Sequence, residues 1–526
     1  MAMSRRAVLV RGGVIGAGIL SGGVSALEAI AAQNSPPVRR SLEGLAWNDP
    51  IVATYRDAVG IMKQKPANDP FNWVQMANIH GNLDTGFRYC PHGDWYFLPW
   101  HRGFTVMYER VVRALTGNAE FAMPYWDWTT NPRMPEVFLP KKTPDGKPNW
   151  LYVDEEGMRR TWPANQPMPK NIVGASVLKR ILRARSFETF GTSRNPQQNS
   201  LDPQWVTAGG GVQGTLEATP HNNVHNNIGG WMPSPASPRD PIFFMHHGNI
   251  DRIWAVWNQN HKNSSNRLWT GMTFAENFIN PDGSYWSPKV SDLLNPEALG
   301  YSYGLSPAVA AASTETTLAL DDQLSSVLAA TPSQQGSAGV EVASVANAVA
   351  AAPGKPLVLS VSVPEAMVQG AAAPARVPDA AASANDAING AAPAPTPPRP
   401  TGGSSMQALA ILRDVAVTDP SQTAVEIYIG DTPITPQTST DDPRYVGTFA
   451  LLDHGEAGHG GHAGHGGRAL PSILLDITDP LAAVYGSGAQ APGSITLQVV
   501  PVAANAAMGG AGTVTPQRVE IVFVPA

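Results

Sequence analysis

The chain has 526 residues, too many for one ordinary core, so two or more domains are expected. A net charge of −6 and a pI near 6.1 exclude the basic surface that nucleic acid demands, and nothing is acidic enough for a solvating tail. Charged residues are only 15% of the chain, and 50 Gly with 48 Pro predict long irregular or linker segments beside the folded ones.

Residues 1–33 place Ser4-Arg5-Arg6 before a weakly apolar, Gly-rich run that ends at Ala29-Ile30-Ala31, an A-x-A cleavage pattern. This resembles a twin-arginine export signal, with Val8 where Phe is usual. The alternative is a transmembrane anchor. The run is short and carries Glu28, and no other segment reaches the ~20 apolar residues a span needs. The expectation is a chain exported already folded, periplasmic or secreted, with no membrane attachment once the signal is removed. Cys90 is its one cysteine, so an intrachain disulfide is excluded.

Residues 34–305 read as one globular domain, and the 14 Trp concentrate there. Helical periodicity marks Pro50–Met62, Asn72–His80, Arg102–Leu115 and Gly248–Asn258, separated by Pro- and Asn-rich loops such as Asn131–Pro169. The expected class is mainly α, a helical bundle with long excursions. Residues 306–352, rich in Ala, Ser, Gln and Thr, read as a linker. Residues 353–526 read as a β-rich domain, with alternating runs at Lys355–Val363, Leu409–Val417, Ala424–Ile429, Tyr445–Leu452, Ser472–Ile477, Ser494–Val500 and Arg518–Val524. They predict a small sandwich or jelly roll, interrupted by a low-complexity, disordered insertion near 369–405.

Seven of the 12 histidines fall in two clusters: His80, His92 and His101, then His221, His225, His246 and His247. His101 opens an amphipathic helix whose buried face carries Phe104, Met107, Tyr108, Val111 and Val112; His92 lies in the loop before it, and His80 ends an earlier helix. His221-Asn-Asn-Val-His225 is H-x3-H, which puts both rings on one helical face. One such histidine alone is more often structural; two clusters of three imidazoles suit a pair of metal ions. Zinc and copper both accept imidazole. Neither cluster shows the Glu and Glu-x-x-His set of di-iron sites, and H-E-x-x-H is absent. An uncharged all-imidazole set can hold both Cu(I) and Cu(II).

His92-x4-Phe97-Leu98-x-Trp100-His101-Arg102-x2-Thr105-x3-Glu109 resembles the first copper signature of the tyrosinase and polyphenol oxidase family, type-3 copper proteins related to molluscan haemocyanin. Asp240-Pro-Ile-Phe243-Phe244-Met-His-His247-Gly-Asn-Ile-Asp251-Arg252 resembles its second. The resemblance implies a four-helix dicopper core, two copper ions, O2 as co-substrate and small phenols or catechols as substrates. It assigns His80, His92 and His101 to one copper and His221, His225 and His247 to the other, with His80 fitting by place alone. His246 is left to packing or support. Asp251, one turn after His247, is expected to accept a ligand imidazole's free N–H.

Cys90-Pro-His92 matches the family's Cys-x-His thioether; a buried free thiol is the alternative. Glu217 and Asn222 match the family's water-holding glutamate and the asparagine linked to phenol hydroxylation, a general-base pair; a cap or solvent-facing role is the alternative. Asn226 is placed at the substrate mouth. The small residues of Met232–Arg239 suggest an open entrance. Tyr301-Ser-Tyr303 resembles the Tyr-x-Tyr that closes the family's core, to be paired by Arg39 or Arg40, and Tyr445–His454 resembles strands of the family's C-terminal shielding domain. His454, His459, His462 and His465 lie in a Gly/His loop, either a copper-capture segment or a solvated one. The implied activity is phenol oxidation to o-quinones, including hydroxylation of monophenols and latent until the C-terminal domain is displaced. A catechol oxidase, or a haemocyanin-like O2 carrier, remains open.

Overall fold

The computed structural model describes residues 35–305, 328, 341–372, 406–435, 437–453, 470–486, 492–505 and 509–525. The signal stretch, most of the Ala/Ser-rich linker, most of the Ala/Pro-rich insertion and the four histidines from His454 to His465 lie outside the described residues.

Helices build the N-terminal part: α1 Pro50–Gln64, α2 Trp73–Asn78, α3 Phe97–Thr116, α4 Ala175–Arg183, α5 Asn222–Ile228 and α6 Ile242–Trp257. Local chemistry sets their starts. Asp49 accepts the Ile51 N–H with Pro50 in the first turn, and Asn72 accepts the Val74 N–H. The start of α3 corrects the sequence reading: the helix begins at Phe97, so His101 sits a full turn inside it. Pro99 disguised that turn, yet a first-turn proline has no intrahelical N–H bond to lose. A five-residue π turn, Glu217–His221 with Pro220 inside it, leads into α5.

The C-terminal part is two sheets. Its strands are β2 Glu341–Ala346, β3 Leu357–Ser362, β4 Met406–Val417, β5 Thr423–Ile429, β6 Tyr445–Ala450, β7 Ser472–Asp476, β8 Ser494–Ala503 and β9 Val514–Pro525. One sheet runs β6-β5-β8-β3, antiparallel throughout. The other runs β7-β4-β9-β2 and takes its last edge from the helical part: β1, Val212–Gln213, pairs in parallel with β7. Val361, Ile427 and Leu497 of the first sheet share a core with Leu412, Ile473 and Ile521 of the second.

Two boundaries are corrected. Strand β2 lies inside the stretch read as linker, and helix α7, Glu365–Ala372, takes the first residues of the stretch read as disordered. Ala and Ser give little contrast between alternate positions, so β2 carries a faint period-two signal. In α7 the buried Val368, Ala371 and Ala372 share one face that low-complexity composition hides.

One buried charge cluster ties the helical part together. Asp251 on α6 accepts from Arg102 on α3 at 2.6 Å and from Arg39 at 3.1 Å; the hydroxyls of Tyr301 and Tyr303 each donate to it at 2.6 Å. Arg39 also bonds Glu109 at 2.9 Å and lies 3.5 Å over the Tyr301 ring. Arg40 instead faces Asp49 at the surface. Burial alone would raise the Asp251 carboxyl, but Arg102 and then Arg39 hold it below the usual carboxylate range. The expectation that Asp251 supports a ligand imidazole is therefore corrected: its oxygens are taken by two guanidinium groups and two phenols. Asp251→Asn leaves two buried cations poorly compensated and is expected to cost about 3–5 kcal/mol, read by urea unfolding of the metal-free protein.

Candidate metal centre

The two histidine clusters become two buried groups that face each other. His80, Cys90, His92 and His101 form one; His221, His225, His246 and His247 form the other. Within each, the potential ligand atoms lie within 4.8 Å of one another. The His101 and His247 rings stack at 4.3 Å between centroids, and His92 lies 5.6 Å from His221. The arrangement is one double site.

Each of four rings is fixed through Nδ1. His80 donates to the Pro235 carbonyl at 2.7 Å, His101 to Phe97 O at 2.8 Å, His225 to Met232 O at 2.6 Å, and His221 to Asn222 Oδ1 at 2.8 Å. With Nδ1 the donor, Nε2 keeps a lone pair for a metal. Nε2 of His80, His221 and His246 and Nδ1 of His247 are buried without a hydrogen-bond partner. Orphaned imidazole nitrogens are costly in a dry site unless an ion takes them, so the donor set fits two bound metal ions. Burial holds these imidazoles neutral, at about 3 for His80 and about 4 for His225, with His101, His221 and His247 also well below the usual range. Neutral imidazole is the form that binds metal.

His246 is placed differently. Its Nδ1 accepts the indole N–H of Trp128 at 3.3 Å, so its proton sits on Nε2 and that nitrogen offers no lone pair. Its ring stacks on His221 at 5.4 Å. Cys90 Sγ lies 3.6 and 3.9 Å from the two nitrogens of His92 and 3.3 Å from His101 Nε2.

Glu217 is fully buried at the wall of the site. Its carboxylate accepts the Gly93 N–H at 2.7 Å and the Thr192 hydroxyl. Gly93, beside His92, has φ +65, a left-handed conformation that favours glycine. Asn222 takes His221 Nδ1 on its oxygen, and its NH2 donates to Gln213 Oε1 at 3.0 Å and to Ala450 O at 2.8 Å. Asn226 donates to Pro420 O at 2.9 Å and Leu451 O at 3.0 Å. The loop Met232–Arg239 is not an open entrance: Met232, Ala236 and Ser237 are buried, and its carbonyls hold His80 and His225.

The C-terminal part covers the face where Asn222 and Asn226 lie. Besides Ala450 and Leu451, β6 receives Arg180 on Val446 O and Asn171 on Thr448 Oγ1; Asn505 reaches Asn227 O, and Arg183 pairs with Asp479. Ala218 of the π turn packs into the C-terminal core. Sequence reasoning missed Pro235, Met232, Phe97, Gln213 and Ala450. Most act through backbone carbonyls, which leave no residue-type signature.

Residues 70–260 match the family model for the common central domain of tyrosinase. The chain is 30% identical over 286 residues to the chloroplastic (+)-larreatricin hydroxylase of Larrea tridentata, covering 48% of this chain and 46% of that protein. It is 28% identical over 298 residues to a tyrosinase of Hahella sp. (strain CCB-MM4), covering 48% and 61%. The match therefore spans about half the length of these curated relatives. Two solved structures share the fold across both parts: latent aurone synthase (17% identical, 93% of this chain and 90% of that one, TM-score 0.57) and latent apple tyrosinase (19%, 93% and 97%, TM-score 0.57). Residues 70–260 therefore carry a match to the central domain of tyrosinase, and the two buried histidine groups, both inside that stretch, fit a dicopper site.

His247→Ala is expected to lower bound copper from two ions per chain to one, whereas His246→Phe keeps both; metal analysis of the purified variants decides this.

Proposed function

We propose that this protein oxidises catechols to o-quinones with O2 and hydroxylates monophenols on the way. The observation that carries the reading is the pair of buried imidazole groups set face to face, with Asn222 bonded to His221. We also read the helices around them as the four-helix bundle of the family, the two sheets as a jelly-roll-like shielding domain, and residues 1–33 as a signal for twin-arginine export to the periplasm or beyond.

Copper, when bound at both groups, supplies the O2 chemistry and accepts the substrate's two electrons. The chain's own residues do the rest. His80, His101, His221 and His225 are pre-set by their Nδ1 bonds, so no ring has to turn when metal binds. A phenol, with a pKa near ~10, binds a metal well only after losing its proton. Glu217 and Asn222 flank the approach to His221, and we assign them to hold the water that takes that proton. Cys90 Sγ lies within 4 Å of both His92 ring nitrogens; a thioether to a carbon of that ring loses one hydrogen from sulfur and one from carbon, with O2 as the oxidant, and locks the ring. Intact mass lower by two hydrogen atoms is the expected reading.

With the C-terminal part seated, the NH2 groups of both Asn222 and Asn226 are engaged, with Ala450, Pro420 and Leu451 of that part among their acceptors. Latent aurone synthase and latent apple tyrosinase share this two-part fold. We therefore assign the C-terminal domain a shielding role.

Copper-loaded protein given L-tyrosine, and separately a simple catechol, is expected to develop quinone colour. Quinone from catechol alone marks a catechol oxidase; a reversible O2-dependent colour without quinone marks a carrier. Asn171→Ala with Arg180→Ala removes two side-chain ties to β6 and is expected to raise the initial rate of the full chain several-fold. An unchanged rate counts against shielding.

A further inference from the structure

Gln213 is a buried glutamine that the sequence patterns do not single out. Its side-chain oxygen accepts one N–H of Asn222 at 3.0 Å, while Ala450 O takes the other at 2.8 Å. A carboxamide has two N–H donors and one oxygen, so these contacts and His221 Nδ1 together determine which way Asn222 faces. Reversed, the amide would present N–H to N–H at His221 and release that ring's anchor. The two N–H acceptors belong to different domains. Ala450 is in the C-terminal part, whereas Gln213 is in the helical part.

Gln213 is also held from both sides. Its backbone pairs with Ile473 of β7 and bridges to Thr192. Ser193 N donates to Val212 O at 2.9 Å, and Gly214 N to Gly191 O at 2.8 Å. A Cβ on Gly214 would lie 2.4 Å from Thr189 O, so this approach needs glycine. The contacts to residues 191–193 lie within the helical part and do not depend on the C-terminal domain.

We propose that Gln213 is a positioning residue of the second copper group: it orients the Asn222 carboxamide so that His221 presents Nε2 to the metal, and it does so whether or not Ala450 is in place. When Ala450 withdraws, one N–H of Asn222 becomes free at the approach to the metals, and Gln213 keeps the amide from turning over. The inference rests on the two-copper reading of the site, not on which phenol is oxidised.

The test uses the full-length copper-loaded protein and measures copper per chain across a graded chelator series, for wild type, Gln213→Leu and Gln213→Glu. Glu keeps an acceptor for Asn222; Leu keeps the bulk and removes it. Gln213→Leu is expected to give up one of its two ions at roughly tenfold lower chelator than wild type, a usual effect of losing a ligand's outer partner. Gln213→Glu is expected to hold both. Should Gln213→Leu fail to fold, Gln213→Met serves the same purpose. Retention of both ions by the Leu variant, loss of both ions together, or a Glu variant as weak as Leu overturns the proposal. Because the readout is metal content, a protein that holds copper normally yet makes no quinone would sink the proposed activity and leave this inference standing.

Discussion

A metal site made only of neutral imidazoles depends on what each ring does with its other nitrogen. Here four rings spend Nδ1–H on a fixed oxygen: Pro235 O, Phe97 O, Met232 O and Asn222 Oδ1. Those bonds choose the tautomer, aim Nε2 and restrain rotation before any ion arrives. Burial then removes water as a competitor and holds the rings unprotonated. The carbonyls come from the helix carrying His101 and from a single loop after α5, so the packing of that loop is part of the metal site. The Asp251 cluster serves this geometry from below: it locks α3 to α6, the two helices that bring His101 and His247 into a stack at 4.3 Å.

The C-terminal domain meets the helical part through polar contacts and through apolar ones, with Ala218 and Val212 packed among residues of its strands. Asn222, Asn226 and Asn171 donate to β6 and the turns around it, and β1 adds a short parallel strand to the neighbouring sheet. Individual hydrogen bonds of this kind contribute on the order of 1 kcal/mol net. Under the proposed function, the side chains assigned to the substrate approach, Asn222 and Asn226, are also ones that bond the C-terminal part.

Histidine spacing pointed to two clusters; the assignment of ligands, and of His247 over His246, is what the resemblance to the copper signatures implies. The structure adds the cause: Trp128 donates to His246, which leaves its Nε2 protonated. Alternating runs in the C-terminal half located β3 to β9 closely, because large apolar residues there alternate with polar ones. They failed at β2 and α7, where Ala and Ser flatten the contrast. Pro99 hid the first turn of α3. The small residues of Met232–Arg239 were read as openness, although small side chains equally permit a loop to pack tightly and aim its carbonyls inward.

What the sequence determined by itself is the chemistry: which imidazoles cluster, which residues flank them, and where helical patterning gives way to strands. These are properties of residue type and spacing, and they survive without coordinates. Only the tertiary structure decided the second partner of each group. Asp251 turned from an imidazole support into the hub of a cation cluster because Arg39 and Arg102 reach it from 212 and 149 residues away. Asn222 came under joint control of Gln213 and Ala450, the latter 228 residues distant. Such pairings depend on long-range packing and on backbone carbonyls, and neither is written in the local identity of the residues they govern.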